Sequence, residues 1–254
     1  LVGGRVDHVE SPNRGGRFTG GTPDTIVLHY TEGRSRQTAV DILTDPGRRV
    51  SSHLVVGRDG GISQLLPFDV IGWHAGVSAW EGRTALNNYS IGIEIDNAGQ
   101  LEERDGRLYS CFDQEYPAEE MVRGVHRNQT EATCWHRYPD VQLQEVDELC
   151  GLLVAEYSIT QILGHEEIAP SRKIDPGPAF PLDEMRRRLL APAVTRVTSR
   201  NMRPVDTRPC QRCSLSTSPA RRHKMRYPVK RTMSRPRISP KKNGRRERYV
   251  PAPP

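Results

Sequence analysis

The chain reads as an α/β protein, because short β-branched runs at Thr25–Tyr30 and Asn87–Asp96 are followed by a stretch of helical periodicity at Val141–Tyr157. TIVLHY, Thr25 to Tyr30, is apolar, β-branched and bounded by turn residues, which suits a buried strand. In Asn87–Asp96, alternation sets Ile91, Ile93 and Ile95 on one face and Gly92, Glu94 and Asp96 on the other. Between Val141 and Tyr157, Val146, Leu149, Leu153 and Tyr157 recur at spacings of three and four, as expected of a helix laid on a sheet.

Charge divides the chain. Residues 196–254 hold 18 Lys and Arg against 2 Asp and Glu, and the rest holds the remaining 19 and 29, so a segment of +16 follows one of −10. Three parts are expected: an irregular Gly-, Pro- and Arg-rich leader over 1–23, one domain over 24–191, and a basic tail over 192–254. The tail is Pro-, Arg- and Ser-rich and too poor in aliphatic residues to offset its ordering entropy, so disorder is expected there. Its charge would attract anionic polymers non-specifically, and no groove-reading motif accompanies it, so specific nucleic-acid recognition is not expected.

No run of eighteen apolar residues is present, and a transmembrane segment is not expected. The first residues lack the apolar core of a secretory signal, and the five cysteines, Cys111, Cys134, Cys150, Cys210 and Cys213, are odd in number. Both features fit a reducing, cytoplasmic setting, with periplasmic or phage-released location left open. Cys210 and Cys213 lack the second pair that a zinc ribbon needs.

The remaining elements follow in order. Gln37–Thr44 predicts a short helix stopped by Pro46, with Val40 and Leu43 on one side. Ser52–Val56 and Ile62–Leu66 flank Arg58-Asp59-Gly60-Gly61 and predict a hairpin closed by Pro67. Ile71–Arg83 mixes Trp73, His74 and Trp80 with glycines, offering flat apolar faces beside an approachable backbone, which suits a sugar ring and equally a packed aromatic loop. Residues 97–138 are polar and irregular and read as a long loop, with a helix over Pro117–His126. Ile159–Leu163 is a short strand leading to His165, and Leu182–Leu190 a terminal helix.

The chemistry gathers in GHEEIAPSRKIDPGPAF, Gly164 to Phe180, which three prolines stiffen. With His29 at a strand end, His165 and Asp175 make two imidazoles and one carboxylate, the three ligands that catalytic Zn2+ takes while keeping a fourth position open. Glu94, costly in the middle of an apolar strand unless it is solvated, paired or used, can carry a proton. Lys173, two residues from Asp175, can stabilise an oxyanion. The helical H-E-x-x-H of thermolysin-type proteases is absent.

Over about Asp24 to Leu190 the chain resembles the zinc-dependent N-acetylmuramoyl-L-alanine amidases, a superfamily that includes phage lysozyme-like amidases and peptidoglycan recognition proteins. It looks closest to the branch acting on anhydro-muropeptides. The likeness rests on the strand ending in His29, SSHLVVGRDGGISQLLPFD, WHAGVS from Trp73 to Ser78, YSIGIEI around Glu94, and GHEEIAPSRKIDPGPAF. The resemblance implies a central mixed β-sheet flanked by helices. It implies Zn2+ on His29, His165 and Asp175, with Glu94 and Lys173 catalytic. It further implies substrate contacts from the Trp73, His74, Ala75 and Gly76 segment, and His53 is expected to point into the same cleft. The implied reaction is hydrolysis of the lactyl–L-alanine amide of peptidoglycan or muropeptides. A peptidoglycan-binding module without catalysis is the alternative. The basic tail matches no cell-wall-binding repeat.

Overall fold

The structure, a computed structural model, describes residues 6–21 and 23–191, so the basic tail and the C-x-x-C lie outside the described residues. Its centre is a six-stranded mixed sheet of β1 (Val6–His8), β2 (Thr25–Tyr30), β3 (Leu54–Val56), β4 (Ile62–Gln64), β7 (Ser90–Ile95) and β13 (Gln161–Gly164), in the order β1-β4-β3-β7-β2-β13. β3 and β4 form the expected antiparallel hairpin, while β3, β7, β2 and β13 run parallel. Their carboxyl ends therefore open on one edge, where ligands bind in sheets of this kind. A two-stranded ribbon, β5 (Ala79–Trp80) with β6 (Arg83–Thr84), stands apart.

The two faces of the sheet have different tasks. Ile26, Leu28, Leu54, Ile91, Ile93, Ile95 and Ile162 pack against Val146, Leu149, Cys150 and Leu153 of helix α2 (Asp140–Glu156) and Leu182 and Met185 of helix α4 (Leu182–Leu189). On the opposite face Val55 and Leu65 meet Ala39, Val40 and Leu43 of helix α1 (Arg36–Thr44). Ser35 starts α1 by accepting the Thr38 N–H at 3.2 Å, and Pro46 follows its end. Period-two alternation on β2 and β7 sends side chains such as His29 and Glu94 to this second face, away from the main core.

Two stretches differ from expectation. Residues 97–138 are a second sheet, not a loop with a helix: β8 (Gln100–Arg104), β9 (Arg107–Tyr109), β10 (Glu115–Tyr116), β11 (Met121–Val125) and β12 (Ala132–His136), all antiparallel, in the order β10-β9-β8-β12-β11. One face is covered by Leu101, Leu108, Tyr116 and Cys134, and the other is mostly polar apart from the buried Trp135, so most strands offered alternate polar residues and were hidden in charge. Asp105 and Gly106, at φ 52° and 75°, make the β8–β9 turn. The leader is also less irregular than expected. β1 extends the main sheet beside β4, and Asn13 Nδ2 donates to Asp45 O and Val50 O at 2.8 and 2.9 Å.

Ile93 lies on the main-core face of the central strand with no exposed surface. Ile93→Ala is expected to lower the unfolding free energy by about 2–5 kcal/mol. Chemical denaturation measures this, and a loss below about 1 kcal/mol would place the core elsewhere.

Candidate metal centre

Parallel pairing brings two distant histidines side by side. Gly164 on β13 is in register with Leu28 on β2, so His165, first residue of the one-turn helix α3 (His165–Ile168), stands next to His29. Asp175 returns to the same point because its carbonyl accepts the Glu166 N–H at 2.8 Å. The three residues are 2%, 2% and 4% exposed. His29 Nδ1 and His165 Nδ1 lie 2.9 Å apart, and Asp175 Oδ2 lies 3.1 and 3.0 Å from them. Among the described residues this is the one group of His, Cys, Asp and Glu able to hold a metal ion.

Hydrogen bonding on the far side of each ring decides where the protons are. His165 Nε2 faces the Ala75 carbonyl at 3.1 Å, which can only accept, so Nε2 carries the proton and Nδ1 a lone pair. His74 Nε2 faces the Ser90 carbonyl at 3.3 Å and is protonated for the same reason, leaving His74 Nδ1 as an acceptor. His29 Nε2, 3.1 Å from that acceptor, is therefore a donor, and His29 Nδ1 is bare. Burial, then the neighbouring His165, lowers His29 to about 4, and burial first of all lowers His74 well below the usual range. Two nitrogen lone pairs and one carboxylate oxygen thus converge with no proton among them. Such a buried acceptor set calls for a cation, and its N and O donors suit a divalent metal.

Glu94 sits on β7 in register with His29, and Lys173 arrives from the loop before Asp175. Both line an open cavity of about 490 Å³ with the three metal-site residues, Trp73 and His74. Loss of solvent pushes Glu94 up to about 8, with the Asp175 charge adding and Lys173 opposing. A cation among the three donors would act in the same sense as Lys173 and favour the carboxylate.

The residues expected to touch substrate separate. Trp73 and His74 line the cavity. Ala75 is buried and uses its carbonyl to orient His165, while Gly76, at φ 56°, borders a neighbouring cavity of about 650 Å³. His53 does not reach the cleft. It is fully buried, Nδ1 accepts the Gly92 N–H at 3.0 Å, and Nε2 faces the Val70 carbonyl at 3.0 Å, so its work is to join β7 to the loop before Trp73. The space over Gly92 is filled too, by His74, whose Cγ would lie 2.5 Å from a Cβ built there. Sequence reasoning missed Arg172, whose Nη2 donates to the Ala75 and Val77 carbonyls at 3.0 Å each and pins that loop. An arginine whose targets are distant carbonyls leaves no local signal. It also missed Tyr30 and Glu32 on the cavity wall.

The profile of the N-acetylmuramoyl-L-alanine amidase family matches residues 19–178. The N-acetylmuramoyl-L-alanine amidase AmiD of Escherichia coli (strain K12) is 34% identical over 169 residues, 63% of this chain and 51% of AmiD. The 1,6-anhydro-N-acetylmuramyl-L-alanine amidase AmpD of the same strain is 32% identical over 199 residues, 71% of this chain and 88% of AmpD. The match thus spans about half of AmiD's own length and most of AmpD's. A solved complex of E. coli AmiD with the substrate anhydro-N-acetylmuramic acid-L-Ala-D-gamma-Glu-L-Lys superposes with a TM-score of 0.50 at 31% identity, covering 65% of this chain and 57% of that one.

Because His74 both fills the space over Gly92 and fixes the His29 tautomer, Gly92→Ala is expected to weaken divalent-metal binding by about 10–100-fold. Competition against a chelator of known affinity measures this, and unchanged affinity in a folded variant would remove His74 from the site.

Proposed function

The chain belongs to the N-acetylmuramoyl-L-alanine amidase family, and from that premise we propose that it hydrolyses the amide joining the lactyl carboxyl of N-acetylmuramic acid to L-alanine in peptidoglycan or muropeptides. His29, His165 and Asp175 hold zinc in this reading. The observation that carries it is the proton-free triangle of His29 Nδ1, His165 Nδ1 and Asp175 Oδ2, with edges of 2.9–3.1 Å, opening on the cavity that Glu94 and Lys173 also line.

Zinc, when bound, supplies Lewis acidity toward water and the scissile carbonyl. The side chains divide the remaining work. Glu94 accepts the proton of the attacking water and returns it to the departing nitrogen, which suits a carboxyl raised well above its ordinary value. The Lys173 ammonium faces the charge that develops on the carbonyl oxygen. Trp73 and His74 offer the cavity wall that a sugar ring packs against, with Ala75 and Gly76 shaping the loop beneath it. A module that only binds peptidoglycan has no use for a raised carboxyl on the cavity that an ammonium and the three metal-site residues also line, so catalysis is the reading favoured.

Two accessory points belong to the same proposal. Cys111, Cys134 and Cys150 are all free, which supports a reducing, cytoplasmic setting. Among the described residues no helix is long and apolar enough to cross a membrane. The +16 charge of residues 196–254 supports salt-dependent, non-specific attraction to anionic polymers.

Incubation with muropeptides is expected to release free stem peptide, detected by mass spectrometry. Chelation should stop the release and added zinc restore it; intact substrate alone at stoichiometric zinc would defeat the proposal. Glu94→Ala is expected to cut turnover by about 10²–10⁴-fold with zinc content retained. Lys173→Ala should cut kcat by about 10²–10³-fold. A loss confined to KM in either variant would assign that residue to binding.

A further inference from the structure

Behind the metal-site loop, the second sheet sends residues 126–128 against α3. Glu166, next in sequence to His165, is 3% exposed, and both its carboxylate oxygens are engaged. Oε2 accepts from His126 Nε2 at 2.6 Å and from the Gly177 N–H at 3.1 Å, and Oε1 accepts from Arg127 Nε at 2.7 Å. His126 Nδ1 accepts the Asn128 N–H at 3.2 Å, so Nε2 is the protonated nitrogen and a committed donor. The main chain of Glu166 is tied as well. Its N–H donates to the Asp175 carbonyl at 2.8 Å, and its carbonyl accepts from Asn128 Nδ2 at 2.9 Å.

Packing restrains the same joint. The His126 ring stacks on Trp135 of β12, centroids 5.7 Å apart, and a Cβ on Gly177 would fall 2.6 Å from Trp135 Cζ3. Trp135 therefore bears directly on the residue two beyond Asp175. Neither Glu166 nor His126 lines the cavity, so whatever they contribute to the site passes through its ligands.

We propose that Glu166 and His126 are positioning residues that set the separation of His165 from Asp175, so that the second sheet governs the metal affinity of a site to which it gives no ligand. A single carboxylate joins the neighbour of one ligand to the loop of another, and its third tie is to the end of β11. If His126 is lost, Oε2 keeps only the Gly177 N–H, and the links from Glu166 to Asp175 and Gly177 lose the buried partner that fixes the carboxylate between the two ligand segments. This inference rests on the reading that His29, His165 and Asp175 bind zinc, and not on the amide hydrolysis.

The test uses the full chain and zinc alone, without substrate. His126→Ala is expected to weaken zinc binding by about tenfold or more in competition with a chelator, as loss of an outer support commonly does. His126→Gln, which keeps a side-chain N–H donor, should recover most of that affinity. The rise in Tm on adding zinc should shrink in His126→Ala relative to wild type, because that rise follows metal affinity. A purely structural role would lower the Tm of the metal-free protein and leave zinc affinity at the wild-type value, which would overturn the proposal. Should His126→Ala fail to fold, the isosteric Glu166→Gln is read in the same way. Wild-type chain that takes up no zinc would overturn the metal reading and this inference together. Zinc binding without peptide release would overturn only the hydrolysis.

Discussion

Lone pairs on His29 Nδ1, His165 Nδ1 and Asp175 Oδ2 crowd within 3.1 Å of one another on residues that are almost wholly buried at the floor of the cavity, and much of the chain is arranged to hold them against that repulsion. A buried acceptor without a donor costs about 1–3 kcal/mol. Full burial of one aliphatic side chain returns about 1.5–3 kcal/mol. About three or four of the isoleucines and leucines packed under α2 therefore offset the whole triangle, and the main core holds many more. The sheet can keep the ligands gathered before any cation arrives. That is the condition for a preformed site, which spends little binding energy on reorganisation.

The division of labour between the two faces follows from strand geometry. β2 and β7 pair in parallel and in register, so one face carries Ile26 and Leu28 against Ile91 and Ile93, and the other sets His29 opposite Glu94. A one-residue slip would exchange the faces and bury the carboxylate in the main core. The dense apolar packing thus protects the site by making that slip expensive. The tautomers depend on the same backbone, because the Ser90 and Ala75 carbonyls that fix the two imidazoles belong to β7 and to the loop that Arg172 pins.

What could be read in the sequence, and what could not, divides along the same physical line. β2, β3, β4, β7, α1, α2 and α4 carry strong local patterns, and their observed limits lie within three residues of those expected. The convergence of His29, His165 and Asp175 was legible because metal chemistry restricts residue type more tightly than folding does. The second sheet was not legible, since its strands are short and alternate apolar with charged residues, and the one large side chain on its other face, Trp135, meets partners distant in sequence. Roles set by distant partners were equally hidden. His53 looks like a cleft histidine until the Gly92 N–H and the Val70 carbonyl are seen to occupy it, and nothing local in the sequence ties Glu166 to His126, forty residues away.

Glu94 shows how the site's opposing forces combine in one group. Loss of solvent raises its carboxyl to about 8 and the Asp175 charge adds to that, so with no cation nearby the proton is held at neutral pH. Lys173 works in the other direction, and a dication among the three donors would do so more strongly, since its charge is twice as large. A dication bound there would lower the proton affinity of Glu94 from that high starting point, in the direction of a group that both accepts and releases a proton with little cost. An ordinary exposed glutamate, starting near 4.5, would be driven far below neutrality by the same cation and would be a poor carrier. Placing Glu94 on the solvent-poor face of a central strand, beside a metal site and an ammonium, sets these opposing effects against each other within one side chain.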